Sequence, residues 1–278
     1  MLVTELALVA ETAHVSHSQL TRVAAALQKQ AIRDFAPIWD IHATVDAFAT
    51  LDDVPIGYWP IIVKDDIDQP GASGVHMDQN GQPFALVQYG EAWSLTASHE
   101  ALEMLADPFG NRMLAGDSPN PAQGRVEFLV EVADPTEDAQ FAYTVNSVLV
   151  SDFLTPHFYD PVAAPGVRYT FGGHLDGPRR IAQGGYLSWH DPVTNHWYQQ
   201  TWFGVKATIR DLGVFSRTKE GTSVRTWVYS KTPERRAFVT GPKLTAAAVE
   251  EEVVTYEEPA AAKAKAWRQQ IAALKRRR

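Results

Sequence analysis

None of the 278 residues is a cysteine, and this absence narrows both the fold and the chemistry open to the chain. Disulfide frameworks, cysteine zinc sites, iron–sulfur ligation and thiol nucleophiles are excluded together. Folding must rest on burial, and any metal must be held by His, Asp and Glu. Burial suffices at this length, since a chain of this size hides roughly three-quarters of its unfolded surface. With 45% hydrophobic and 10% aromatic residues the composition is that of a globular protein, not a disordered one.

Charge is spread unevenly. Seven of the 25 basic residues lie in 259–278, where no acid occurs, leaving 18 bases against 33 acids in the rest. An acidic body repels phosphate, so nucleic acid is not an expected partner. The start, Met1-Leu2-Val3-Thr4-Glu5, lacks a basic, apolar signal segment, and no run reaches the roughly 18 apolar residues that span a bilayer. The expectation is a cytoplasmic protein without a membrane partner.

Periodicity gives the order of elements. Leu6–Val9 reads as a strand, and Ser18–Arg33 as an amphipathic helix with Leu20, Val23, Ala24 and Leu27 on one face, Ser16 or Ser18 as cap and Pro37 just beyond. Trp39–Phe48 and Tyr58–Val63 read as strands. Val75–Met77 and Phe84–Val87 flank Asn80-Gly81, a two-residue hairpin signal. A second helix follows over about 94–106, then a loop over 110–124 and an alternating strand over 125–133. Residues 140–240 are mainly β in character, with 186–189 and 197–203 flanking a seven-residue loop. Residues 241–258 read as a linker. From Pro259 a short helix is expected, with Ala260, Ala264, Trp267, Ile271 and Leu274 on one stripe and a basic end.

The chemistry concentrates in the second helix, at His99-Glu100-x-x-Glu103. Residues at i and i+4 sit one turn apart and point the same way, so His99 and Glu103 can converge on one ion. The adjacent Glu100 can act as base toward the water that the ion activates, as in the H-E-x-x-H pattern of zinc peptidases. A carboxylate in place of the second His keeps the geometry and makes the site harder, admitting manganese or iron beside zinc. Asp107 lies about 12 Å along a continuous helix from His99 and is too far to share the ion unless the chain turns back at Pro108. Glu131, on a separate strand, is the favoured third ligand; Asp134 or Asp107 would then hold the other ring nitrogen of His99.

The segment Ser98-His99-Glu100-x-x-Glu103-x-x-x-Asp107-Pro108, followed by Val130-Glu131-Val132-Ala133-Asp134, resembles a zincin-like group of metallopeptidases with S-H-E-x-x-E-x-x-x-D/N-P and then E-I-x-D. This pattern is also distantly similar to exordium-like (phosphate-induced) proteins. The resemblance covers roughly residues 55–138; Pro135 stands where exordium-like proteins carry a cysteine. It implies a zinc peptidase with His99, Glu103 and Glu131 as metal ligands, Glu100 as catalytic base, and a peptide or protein substrate. His157 and Tyr159 are candidate oxyanion donors. His190 and His196, bracketing a loop, are weaker candidates for a second metal, and His76 reads as structural.

The whole is expected to be α+β: a zincin-like metal-site domain over 1–138 with an active-site helix, a β-rich extension over 139–240, and a linker with a basic helical tail over 241–278. The rival reading is a catalytically inactive binding or assembly protein on the same fold, whose β-rich half and basic tail dock a protein partner.

Overall fold

The computed structural model describes residues 3–69, 71–216 and 223–233. In chain order these form β1 (Val3–Glu11), α1 (His17–Gln30), a π-helical turn (Ala31–Phe35), α2 (Ala36–Trp39), β2 (His42–Phe48), β3 (Trp59–Lys64), β4 (Gly74–Gln79), β5 (Gln82–Gln88) and α3 (Trp93–Ala106). There follow β6 (Met113–Asp117), β7 (Arg125–Leu129), β8 (Tyr143–Val145), β9 (Val148–Val150), β10 (Tyr186–Asp191), β11 (His196–Thr201), β12 (Thr208–Gly213) and α4 (Val224–Tyr229). The mixture of helices and sheets is that of an α+β protein. Among the described residues, no helix is long and apolar enough to cross a membrane.

Two five-stranded sheets carry the architecture, in the orders β2-β1-β3-β5-β4 and β12-β11-β10-β7-β6. In the first, β1 is parallel to β2 and β3, and β3 is parallel to β5. Leu6, Ala7, Leu8 and Val9 of β1 are all fully buried, as expected of a parallel strand covered on both faces. Only β4 runs antiparallel, joined to β5 by Asn80-Gly81 with φ of 55° and 80°. Positive φ at both positions is the type I′ geometry whose twist matches the strands. The second sheet is antiparallel throughout.

β6 and β7 come from before residue 138 and pair into the sheet that β10–β12 complete. The boundary expected at 138 therefore does not separate the two sheets. One continuous core links them, running from Leu6, Leu27 and Val63 through α3 to Phe128 and Trp189. The linker and basic tail expected over 241–278 lie outside the described residues.

Three local expectations are refined. Ser16 caps α1 in a reciprocal capping box with Gln19, but the helical path does not stop before Pro37. It passes through the π-helical turn into α2, where Pro37 takes a first-turn position that needs no N–H. Asp40 closes it with a left-handed φ of 53°. The loop expected over 190–196 shrinks to four residues, because the Asp191 carboxylate accepts from the Val193 N–H and the Thr194 hydroxyl, each at 2.9 Å, and lets pairing run to the turn. The strand expected over 125–133 ends at Leu129, leaving Glu131 and Asp134 on irregular chain.

Candidate metal centre

α3 spans Trp93–Ala106, and from Glu100 to Ala106 every residue is buried. A helix enclosed almost all round carries its polar side chains inside, which for α3 means Ser98, His99, Glu100 and Glu103. Each needs a partner, because an unpaired buried charge costs several kcal/mol. Ser98 finds Gln30 Oε1 at 2.7 Å and accepts from the Ser151 N–H at 2.9 Å. The other three build the site.

His99 Nε2 lies 3.3 Å from Glu103 Oε1 and 3.3 Å from Asp134 Oδ1. The i,i+4 convergence read from the motif is thus present, and Asp134 brings the third donor. Glu131, the favoured third ligand, points elsewhere: its Oε1 is 2.9 Å from Nε of Arg225, an ion-pair contact without hydrogen-bond alignment. The physical reason is that β7 has ended, so the chain from Glu131 to Asp134 is free to turn and presents the later acid to His99. Asp107 is also occupied, its carboxylate accepting from the N–H groups of Asn111 and Arg112 at 3.0 and 2.9 Å and so closing the C-terminal turn of α3.

Arg225 is the residue that sequence reasoning missed. Delivered by α4, it reaches Glu103 Oε2 at 2.9 Å, Glu100 Oε2 at 3.6 Å and Glu131, and donates from Nη1 to the His76 carbonyl at 3.1 Å. α4 can dock this closely because Gly110, at φ +60°, carries no Cβ: one built there would lie 2.7 Å from Arg225 Cβ. The Arg225 N–H bonds the Gly110 carbonyl at 2.9 Å. Ser223 caps α4, and Trp227 packs against Trp197 and Phe215.

His76 was expected to be structural, and in part it is: Nε2 lies 3.1 Å from the Asp107 carbonyl. A carbonyl only accepts, so this nitrogen carries its hydrogen. Nδ1 then faces Glu100 Oε2 at 3.4 Å and Glu103 Oε2 at 3.6 Å and makes no hydrogen bond. Gly74, at the start of β4, leaves room for the acid, since a Cβ there would lie 2.6 Å from Glu100 Oε1.

Crowding of charge shifts the titrations. Burial opposes the His99 imidazolium, but the nearby carboxylates of Glu103 and Asp134 outweigh it and hold its pKa well above the usual value. Burial likewise opposes ionised Glu103, yet His99 and Arg225 hold it well below the carboxylate range. For Asp134, burial and the nearby Glu103 prevail and raise the group to about 7. Glu131 is raised well above its ordinary value by burial, against the pull of Arg225.

A cavity of about 680 Å³ opens on this cluster, with His99, Glu100, Asp134, Tyr186, Arg225 and Tyr229 among its lining. The two expected oxyanion donors are not in that wall. His157 pairs with Asp160 at 2.8 Å on an exposed turn, and Tyr159 packs on Phe128 and Phe158 within the core. His190 and His196 do not share a site: the first bonds Glu127 and Asn195, the second Asp211. Among known proteins no family model, no curated protein and no solved structure matches the chain.

Proposed function

We propose that the protein is a metal-dependent hydrolase of zincin-like type, acting on a peptide or protein in the cytoplasm, with His99, Glu103 and Asp134 as metal ligands and Glu100 as general base. The observation that carries this reading is the position of His99 Nε2, 3.3 Å from both carboxylates in the wall of a cavity. The donors fit an ion. All three lie within 4.8 Å of one another, and the edge of a tetrahedron with ligand distances of 2.0–2.2 Å is about 3.3–3.6 Å. Asp134 Oδ1 is buried without a hydrogen-bond partner. One imidazole and two carboxylates suit zinc and also admit manganese or iron.

A divalent ion in this site supplies Lewis acidity toward a scissile carbonyl and toward water. The chain supplies the rest. Glu100 lines the cavity beside His99 and takes the proton of the attacking water, then returns it to the leaving amine. The cavity lies within the 300–1,000 Å³ range of small-ligand sites. Tyr186 and Tyr229, which line the cavity, replace His157 and Tyr159 as the candidate donors toward a developing oxyanion.

Metal content of the purified full chain tests the reading. About one equivalent of zinc, manganese or iron is expected in wild type and in Glu131→Ala, and none in Asp134→Ala. Glu100→Gln is expected to keep the metal and lose peptide hydrolysis. Wild type that takes up no metal after zinc and manganese are supplied sinks the proposal. Arg225 favours a second reading: its contacts with Glu100, Glu103 and Glu131 are what a closed, inactive site in a binding or assembly protein would have, with the β-rich half and the basic tail docking a partner.

A further inference from the structure

On the far side of Glu103 lies a second constellation, formed by His76 Nδ1, Glu100 Oε2 and Glu103 Oε2, which all lie within 4.8 Å of one another. These three side chains are at most 4% exposed. His76 Nδ1 and Glu100 Oε2 have no hydrogen-bond partner. Because Nε2 of His76 spends its hydrogen on the Asp107 carbonyl, Nδ1 turns toward two carboxylates, an arrangement that calls for a cation between them. The structure contains one: Nη2 of Arg225 lies 2.9 Å from Glu103 Oε2 and 3.6 Å from Glu100 Oε2.

We infer that His76, Glu100 and Glu103 form a second divalent-cation site, whose cation in this conformation is the guanidinium of Arg225. Glu103 thereby bridges two cation positions, presenting Oε1 to His99 and Asp134 and Oε2 to His76 and Glu100. One imidazole nitrogen and two carboxylate oxygens suit manganese, iron or zinc. Occupation by an ion and docking of Arg225 exclude each other, because both need Glu103 Oε2 and Glu100 Oε2. The second site is therefore tied to the seating of α4, the element that carries the arginine. The inference shares Glu103 with the hydrolase centre but does not need that centre to bind metal.

The test counts manganese bound at equilibrium by the full chain, in wild type, Arg225→Met, Arg225→Met/His76→Ala and Arg225→Met/His99→Ala, with circular dichroism as the check of folding. Removing Arg225 is expected to add one equivalent, which is lost on adding His76→Ala and retained on adding His99→Ala. If wild type binds no manganese, the hydrolase centre does not hold that ion, yet one equivalent in Arg225→Met that depends on His76 still supports the second site. Should Arg225→Met be unfolded without metal, its uncompensated carboxylates being the cause, manganese is expected to restore the fold and bind in the same His76-dependent way. A folded Arg225→Met that binds no more than wild type overturns the inference. So does an added equivalent indifferent to His76, or an unfolded variant that manganese does not rescue.

Discussion

The two oxygens of Glu103 face two different regions. On the Oε1 side stand His99, 13% exposed, and Asp134, with the Ala133 N–H at 3.3 Å, and this side opens on the cavity. On the Oε2 side stand His76, fully buried, and Arg225, 5% exposed and held by α4. Among the described residues, no Lys or Arg contacts Glu103 on the first side, and Arg225 does so on the second. The difference teaches how a fully buried carboxylate is tolerated. A buried charge needs a paired counter-charge, and here one side is served by Arg225 while the other is left to the imidazole of His99.

Substitutions that break this division rank by how many partners they orphan. Glu103→Ala takes the nearest carboxylate from Arg225 and one of two from His99, and breaking a buried pair costs about 3–5 kcal/mol. At about 2–4 °C per kcal/mol for a chain of this size, its Tm is expected to fall by about 10 °C; calorimetry showing a shift under 2 °C would refute the central role of Glu103. Asp134→Asn and Glu131→Gln sharpen the comparison, because they touch opposite sides. The first is expected to weaken zinc by about 100-fold or more, beyond the 10–100-fold of an outer-shell partner. The second is expected to leave zinc affinity within about threefold and to cost stability through Arg225. Equal losses of zinc in a competitive chelator titration would show that the two sides are not distinct.

A smaller effect is set by pH. Asp134 ordinarily titrates at 3.8 and is raised to about 7 in the folded chain. Between those values the folded state holds a proton that the unfolded state has released, so this contribution is complete below about 4 and is lost as pH rises toward 7. With metal removed by chelation, the Tm of wild type relative to Asp134→Asn should decline across that window. A flat difference would contradict the shift. The smallest effect is expected at His157, 59% exposed on its own turn. His157→Ala should change neither metal content nor hydrolysis, and a loss of either would return it to the site.

Much of the site's frame was legible because it is local. The i,i+4 spacing of His99 and Glu103 fixes their convergence whatever surrounds the helix, and the apolar run bounded by Pro108 places that helix within a residue of Trp93–Ala106. Asn80-Gly81 likewise sets the β4–β5 hairpin. The third donor beside His99 and Glu103 was less legible. Glu131 and Asp134 are three residues apart, and the choice between them turns on where β7 stops pairing with β10, which alternation cannot show since Val130 and Val132 continue the apolar pattern. Arg225 carried no local signal at all, lying in a short amphipathic stretch 122 residues from the Glu103 it contacts.

By itself, then, the sequence determined the α+β character, the helix that carries the acids, the hairpin beside it, and the restriction of any metal to His, Asp and Glu. These follow from periodicity, turn chemistry and composition, which act over a few residues. Only the tertiary structure decided that Asp134 rather than Glu131 meets His99, that His76 turns Nδ1 toward two carboxylates, and that an arginine from α4 answers them. The physical reason is that a buried charge takes its partner from whatever the packed chain brings within about 4 Å. That distance is set by the closing of the two sheets and the seating of α4 over Gly110, not by neighbours in sequence.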